Sequence, residues 1–463
     1  MKRIMVLGAG QVGRSLALAL AGDGHAVTVV DRSPSRLASL RAGDEAQAIE
    51  TVIGYAAYPP VLDKAGARHA ELVIAVTDSD EVNMLACQVA ATLFQVGTRI
   101  ARVRARAYHK APAHLFARNA IPVDLLISPE ELVTQQIRRL IEHPGALQVL
   151  DFADGRVSLV GVRAHPGGPL VGQALRNLRR DRAGMQTRVA AIFRGDHAVE
   201  PEGATIVEPD DEVFFVAAKK MIRRVTAELG HREPAYHRVV IIGGGNIGRR
   251  LAEVLHTDFR VRVVERNPQR AIELANELPS EVLILEGDGA DDRFLDEISL
   301  DHADVCCAVT DDDQVNIVAG MLAKRHGVRK VISLINRPSY VDLVQSGTID
   351  IAISPQMVTI AAVLARVREG GTTTVHRLRR GAAEAIETVV HGDAHTSRVV
   401  NRRIDEITLP PGTRIGALVR GDEVIIPHHD AIINAGDHAI LFLTDRSQVA
   451  AVQPLFQPSA LFF

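Results

Sequence analysis

Ile4-Met5-Val6-Leu7-Gly8-Ala9-Gly10-Gln11-Val12-Gly13, followed by a helical stretch through Leu16, Leu18 and Leu20 and then by Val27 to Val30 and Asp31, reads as strand, glycine turn, helix, strand. The spacing G-x-G-x-x-G gains its meaning from that setting. Gly8 permits the tight turn, Gly10 lets the backbone approach a pyrophosphate, and Gly13 allows the helix to pack closely on the sheet. The pyrophosphate is placed on the helix N-terminus, where unpaired N–H groups face it. Asp31 follows at about the right distance, roughly 20 residues on, to accept hydrogen bonds from an adenosine ribose. The bland reading is a Rossmann-like lobe whose pocket has gone empty; the ordered set of strand, glycines, helix and terminal acid favours nucleotide binding.

The pattern returns. Val239-Val240-Ile241-Ile242 leads into Gly243-Gly244-Gly245-Asn246-Ile247-Gly248, and Val261 to Val264 ends in Glu265. Beyond the fingerprint, Asp31-Arg32-Ser33-Pro34 answers Glu265-Arg266-Asn267-Pro268, Thr77-Asp78 answers Thr310-Asp311, and Asn83 answers Asn316. The chain is a tandem duplication. In the first copy, strands at Val27 to Val30, Ile49 to Ile53, Leu72 to Val76 and Ile100 to Val103 alternate with helices, which predicts a parallel sheet covered on both faces. Gly8 to Gly13, Asp31 and Thr77-Asp78 all fall at strand carboxyl ends, where such sheets bind ligands.

After each lobe comes Ser-Pro. Ser128 serves as N-cap, Pro129 as first helical residue, and Glu131 completes a capping box. Val133, Ile137, Leu140 and Ile141 line one face of that helix, which ends near His143-Pro144-Gly145; Val358, Ala361, Leu364 and Val367 give a matching stripe ending at Gly370-Gly371. Such a helix packs either on its own lobe or on another subunit, and the sequence leaves both open. A smaller unit follows: strand Val157 to Val162, a short helix Leu170 to Leu178, strand Thr187 to Phe193 turning at Gly195-Asp196, and strand Val213 to Ala217. Val399 to Ile407, Arg414 to Val419, Gly421-Asp422 and Ala439 to Leu443 repeat it. The fold class is therefore α/β, two Rossmann-like parallel-sheet lobes, each followed by a linking helix and a small α+β lobe. The expected bounds are 1–123, 124–228, 237–350 and 351–455, with a polar joint around Glu233-Pro234-Ala235-Tyr236.

Composition narrows the function. The 463 residues carry 47% hydrophobic and 24% charged residues and a net charge of −3, so every lobe can bury a core and no basic excess favours nucleic acid. Local clusters at Arg99, Arg102, Arg104 and Arg106, and at Arg176, Arg179, Arg180 and Arg182, read as solvated faces. The three cysteines, Cys87 and Cys306-Cys307, form neither a disulfide framework nor a metal pattern, and the 18 histidines show no zinc spacing. His428-His429 reads as a polar loop. With no apolar run of about 18 residues and no signal peptide, a soluble cytoplasmic protein is expected.

Taken in tandem, the glycine turn, Asp31, Thr77-Asp78, the Ser-Pro helix and the Gly-Asp hairpin lobe resemble the regulator-of-potassium-conductance (RCK/KTN) family, and within it the regulatory subunits of bacterial Trk potassium-uptake systems. Further phrases carry the resemblance: Ile100-Ala101-Arg102-Val103-Arg104, His143-Pro144-Gly145-Ala146-Leu147-Gln148-Val149, Asp211-Glu212-Val213-Phe214-Phe215 and Leu409-Pro410-Pro411-Gly412-Thr413. It implies a non-catalytic homo-oligomer, a tetramer, peripheral on the inner face of the cell membrane. Such a subunit binds NAD(H) and ATP or ADP and gates a potassium-translocating subunit of the TrkH or TrkG type. By position, Gly8, Ala9, Gly10, Gln11, Val12 and Gly13 hold phosphates, Asp31 and Arg32 meet the adenosine, Thr77-Asp78 close the wall, and Arg102 and Arg104 lie near phosphates, a neighbouring subunit's included. In the second half the roles fall to Gly243, Gly244, Gly245, Asn246, Ile247, Gly248, Glu265, Arg266, Asp288, Thr310 and Asp311, with Arg337 a weaker candidate. Arg32 and Arg266 either favour a 2′-phosphate, lie over the adenine face, or are simply solvated.

One departure stands out. The second copy has Gly287-Asp288-Gly289 after its third strand, in line with the family, whereas the first has Gly54-Tyr55-Ala56. Tyr55 either stacks on an adenine or fills the space that a nucleotide needs, so the two pockets are not expected to bind one ligand equally. The rival from another class is an NAD-dependent oxidoreductase with tandem Rossmann lobes, since the fingerprint serves both. That chemistry needs a proton donor, a substrate-orienting cation and a shielding domain, and no such set is positioned in either repeat. A plain adaptor would leave two glycine pockets without a use.

Overall fold

The computed structural model describes residues 1–40, 49–109, 113–117, 120–180, 187–195, 197–222, 224, 226, 234–337, 340, 344, 349–367, 372–378, 383–444 and 448–456. Glu233, Asp196, Arg182 and Gly370-Gly371 lie outside the described residues. The chain packs as two compact units, one of Met1–Thr134, Ile335–Pro338 and Ile353–Val367, the other of Gln135–Leu334, Ser339–Ala352 and Arg368–Phe463.

The first unit is built on the opening repeat. Its elements are β1 Arg3–Leu7, α1 Gln11–Gly22, β2 Ala26–Asp31, α2 Pro34–Leu40, β3 Ile49–Ile53, α3 Pro59–Lys64, β4 Leu72–Ala75, α4 Asp80–Phe94, β5 Thr98–Arg102 and β6 Leu125–Ile127. The sheet order is β3-β2-β1-β4-β5-β6 with every pairing parallel. This is the doubly wound order, with its reversal between β1 and β4. Alternate residues of each strand face opposite sides: Ile4, Val6, Val27 and Val29 join one apolar core, Met5, Leu7, Val73 and Ala75 the other. The short β6, which the sequence reading omits, forms the edge.

A linking helix from the far end of the chain completes this unit. The helix Pro129–Glu142, α5, begins here, capped by Ser128 Oγ accepting from Glu131 N at 3.2 Å. Val133, Ile137, Leu140 and Ile141 are all buried, as their spacing predicts. The other linking helix is Pro355–Val367. Its Ile360, Val363, Leu364 and Val367 enter the α1 side of the first Rossmann core, with Met357 packed beside them. The buried stripe is thus rotated from the expected one, sharing Leu364 and Val367 while Val358 and Ala361 are only half-buried. Gln356 Nε2 donates to the Gln11 carbonyl at 3.2 Å and contacts Ser15 Oγ, and Lys2 Nζ donates to the Val367 carbonyl at 2.7 Å. The helix therefore packs on the other repeat's lobe in the same chain, an arrangement that neither sequence alternative contained.

The second unit holds the remaining three lobes. The first small lobe comprises β7 Ala146–Phe152, β8 Val157–Arg163, α6 Leu175–Arg180, β9 Thr187–Arg194, β10 His197–Val199 and β11 Glu212–Ala218, in the order β10-β9-β11-β8-β7. The second Rossmann lobe follows: β12 Arg238–Ile242, α7 Asn246–Leu255, β13 Arg260–Glu265, α8 Pro268–Glu277, β14 Leu283–Glu286, α9 Asp292–Glu297, β15 Val305–Ala308, α10 Asp313–Arg325, β16 Lys330–Leu334 and β17 Ile351–Ile353. Its order, β14-β13-β12-β15-β16-β17, repeats the first. The helix Pro355–Val367, now α11, leaves from β17. The last lobe has β18 Thr372–Leu378, β19 Ala383–Val389, β20 Thr413–Arg420, β21 Glu423–Ile425 and β22 His438–Leu443, ordered β18-β19-β22-β20-β21.

Both small sheets are antiparallel, and their leading hairpin strands β7 and β18, together with β19, are not among the strands the sequence predicts. The helix expected at Leu170 starts only at Leu175. Gly172 at φ +76° breaks the turn, and its N–H goes to the Val207 carbonyl at 2.9 Å. In the second copy the matching segment keeps one helical turn, Ile404–Glu406. The two small sheets share one core, in which Leu150, Phe193 and Phe214 meet Leu378, Ile440 and Phe442. Equivalent arginines close that interface from both sides: Arg188 donates to the Pro427 carbonyl at 2.9 Å and Arg414 to the Pro201 carbonyl at 3.1 Å. In each lobe a buried aspartate accepts a two-pronged arginine, Asp211 from Arg194 and Asp437 from Arg420.

His376 lies between these lobes, its Nε2 3.2 Å from the Asp151 carbonyl and its ring edge-on to Phe152 at 4.9 Å. Burial pushes its pKa down from 6.5 to about 4, helped by Arg139 and opposed by the bond to Asp151. The folded protein holds the ring neutral while the unfolded chain takes up the proton. This contribution to stability is complete above about pH 6.5 and is lost as pH falls toward 4. Urea unfolding of the wild type should lose about 2 kcal/mol more than His376→Gln between pH 7 and 4.5; parallel pH profiles would contradict the assignment.

Candidate functional site

The carboxyl ends of β1 and β2 shape the first cradle. Gly8 adopts φ +106°, reserved in practice for glycine, and its N–H bonds the Val30 carbonyl at 2.8 Å. A Cβ on Gly13 would sit 1.9 Å from the Gly8 carbonyl oxygen, so the start of α1 presses directly on the turn. A Cβ on Gly10 would meet nothing within 4 Å. The first turn of α1 therefore opens onto free space on the side where Gly10 forms the N-cap. A helix N-terminus with unspent N–H groups and an unobstructed approach fits an anionic phosphate.

Asp31 is buried and holds the turn from below: one oxygen accepts from Ala9 N at 2.6 Å, the other from Ser33 N at 2.8 Å. A carboxylate offers about four acceptor positions, so capacity remains for ribose hydroxyls. Arg36 lies 3.9 Å from Asp31, and Arg32 pairs with Asp78 at 3.5 Å, both partners largely exposed. Gln11 is exposed and Val12 half-buried against the core.

The second cradle repeats this geometry. Gly243 has φ +104°, Gly248 would place a Cβ 1.9 Å from the Gly243 oxygen, and Gly245 again faces open space. Glu265 accepts from Gly244 N and Asn267 N, each at 2.8 Å. Where the first copy has Ala9, a Cβ at Gly244 would strike Leu274 Cδ1 at 2.2 Å. Arg270 Nε adds a bond to the Gly244 carbonyl at 3.2 Å. Asn246 and Arg266 are exposed, Ile247 half-buried, and Asp288 Oδ1 accepts from Ala290 N at 2.9 Å.

The far wall is Thr77 and Thr310, and the residue that fixes each is an asparagine whose place the sequence matched without giving it a task. Asn83 Oδ1 accepts from Thr77 N at 2.8 Å and Thr77 Oγ1 at 2.7 Å, while its amide donates to the Thr77 and Arg102 carbonyls at 3.3 and 2.8 Å. Asn316 does the same for Thr310, with the Leu334 carbonyl as outer partner at 3.0 Å. Its signal in the sequence is an asparagine six positions after the threonine in both copies. The same pairing aligns Arg102 with Leu334 and Arg104 with Asn336, so Arg337 falls one place beyond the match for Arg104 and is exposed.

Arg102 is buried, with Nη2 donating to the Thr77 carbonyl at 2.5 Å; desolvation, then Arg104, pushes its pKa down to about 10. It stays a cation at neutral pH, lodged behind the threonine wall. Arg104 is the half-exposed member, its backbone N–H on Asp80 Oδ2 at 2.9 Å and its side chain 3.8 Å from Glu130. Asp78 and Asp311 are exposed at the rim. Among the described residues no group of three His, Cys, Asp or Glu could hold a metal ion, and no helix is long and apolar enough to cross a membrane.

Two open glycine cradles on doubly wound sheets, each followed by a linking helix and a small antiparallel lobe, define a protein of two tandem Rossmann-plus-small-lobe repeats. The TrkA-N domain model matches residues 4–129 and 239–355, and the TrkA-C domain model residues 159–230 and 394–457. The chain belongs to the TrkA family of Trk system potassium uptake proteins. It is 53% identical over 461 residues to the Trk system potassium uptake protein TrkA of Halomonas elongata, covering 100% of both chains. It is 51% identical over 460 residues to that of Vibrio alginolyticus, covering 99% of this chain and 100% of the relative. The solved GsuK channel bound to NAD has the same fold, with a TM-score of 0.61 at 18% identity over 98% of this chain and 79% of that one.

The glycines and the asparagine separate by what surrounds them. Gly10→Ala should leave unfolding free energy within about 0.5 kcal/mol of wild type. Asn83→Ala, which strips partners from buried backbone groups, should cost about 2–4 kcal/mol. Urea denaturation monitored by circular dichroism measures both; an Asn83→Ala protein of full stability would remove the wall from this account.

Proposed function

We propose that this chain is the cytoplasmic, nucleotide-sensing subunit of a potassium-uptake system, a homo-oligomer of four copies seated on a membrane potassium-translocating subunit of the TrkH or TrkG type. The observation that carries the reading is the pair of cradles in which Gly10 and Gly245 face open space at a helix N-terminus. Phosphates lie on Gly8 to Gly13 and Gly243 to Gly248, and Asp31 and Glu265 accept from the adenosine ribose. The ligands are NAD(H) and ATP or ADP; the neighbouring fold bound to NAD supports the first of these. Arg104, half-exposed beside the threonine wall, meets phosphate charge, while Arg102 adds a buried positive field behind it.

The subunit works by shifting a population and catalyses nothing. Nucleotide stabilises one arrangement of the assembly over another, and only that difference in affinity moves the membrane partner. A coupling of about 1–3 kcal/mol shifts the equilibrium roughly five- to 150-fold. Potassium uptake by cells in which Gly10→Val and Gly245→Val replace the wild-type chain should lose its response to nucleotide, with the variant protein present at normal levels. An unchanged response would rule out these cradles as the sensor, and NADH consumption with an added carbonyl compound would favour an oxidoreductase instead.

A further inference from the structure

The two cradles differ most at the carboxyl end of the third strand. Gly54 N bonds the Asp31 carbonyl at 3.0 Å, and Gly287 N bonds the Glu265 carbonyl at 3.0 Å, so the next residue in each copy follows directly on the strand beside the ribose acid. The turns that follow are the same: Tyr58 N bonds the Tyr55 carbonyl at 3.1 Å, and Asp291 N bonds the Asp288 carbonyl at 3.0 Å. Tyr55 thus stands where the second copy has Asp288, and Tyr58 where it has Asp291.

The acids of the second copy serve their own backbone. Asp288 accepts from Ala290 N, and Asp291 caps α9 through Arg293 N at 3.0 Å. The tyrosines do neither, and α3 begins at Tyr58 without a side-chain cap. Their rings instead stack on each other, centroids 5.0 Å apart and planes at 27°, and remain 54% and 56% exposed. A local gain has been given up and two large rings face water. A group outside the chain accounts for both, and a planar ring that extends the stack is the one that fits an aromatic pair.

We infer that Tyr55 and Tyr58 form the base-binding wall of the first cradle, seating the purine of an adenine nucleotide on the face of a preformed aromatic stack. This rests on reading the cradle as a nucleotide site. It makes the two pockets selective by different means: stacking in the first, and two rim carboxylates in the second, which favour a ligand carrying less negative charge. Stacking of a base on an aromatic side chain corresponds to about five- to 150-fold in affinity.

Calorimetry of the full-length protein with ADP tests it, with Gly245→Val present to silence the second pocket. Tyr55→Leu should weaken ADP binding about five- to 150-fold, while Tyr55→Phe retains it. The chain has five tyrosines and no tryptophan, so ADP should also quench tyrosine emission, and Tyr55→Leu should remove most of that quenching. ADP binding at parent affinity in Tyr55→Leu, Tyr58→Leu and the double variant overturns the wall. If Gly10→Val then abolishes binding, the cradle itself stands; if Gly10→Val also binds normally, the nucleotide-site reading has failed with it.

Discussion

Each half of the molecule depends on a carboxylate at the end of its second strand that reaches across to the backbone of the glycine turn. Asp31 draws in Ala9 N and Ser33 N; Glu265 draws in Gly244 N and Asn267 N. These bonds tie the end of one strand to the loop leaving its neighbour, and so fix where the following helix starts. The close approach of Gly13 to Gly8, and of Gly248 to Gly243, then sets the helix against the sheet with no room for a side chain. Bonds and contacts of this kind preorganise a turn, and preorganisation in general lowers the entropic cost of binding. The acid that shapes the turn is also the group proposed to meet the ribose, so scaffold and site share one side chain.

Duplication turns this local device into a larger one. The two small lobes pair through a common apolar core and reciprocal arginine-to-carbonyl bonds, as two copies of a symmetric dimer would, yet within one chain. Because the halves are covalently joined, each is free to diverge while the pairing surface persists. The divergence is visible at the cradles: Arg102 behind one wall and Leu334 behind the other, Tyr55 and Tyr58 at one rim and Asp288 and Asp291 at the other. The first cradle is backed by a buried cation and rimmed by stacked rings, and the second is rimmed by two carboxylates. One chain thereby carries two cradles of unlike rims on matching frames.

Helix α11 adds a further consequence. It starts at the edge strand of the second Rossmann sheet and packs on α1 of the first, with Gln356 bonded to the Gln11 carbonyl at that helix's opening turn. That turn is therefore in direct contact with a segment belonging to the other repeat. Such contiguity supplies a physical route for coupling without itself measuring its strength.

Sequence alone determined the tandem repeat, the doubly wound sheets, the glycine cradles and the acids beside them, because these depend on short-range constraints: positive φ at Gly8, contact at Gly13, a cap at Ser128 and continuous apolar strands. It also located Tyr55 as a departure. What it left undecided was whatever depends on partners distant in the chain. The stripe on α11 announced a buried face but not that the opposite repeat would cover it; Val358 and Ala361 would have served equally until α1 selected Ile360 and Val363. The leading strands β7 and β18 were hidden since a hairpin strand gains its apolar neighbours only when the two small sheets meet. Asn83 and Arg102 likewise look like ordinary polar residues until folding buries them, and burial is what obliges each to find the threonine it supports.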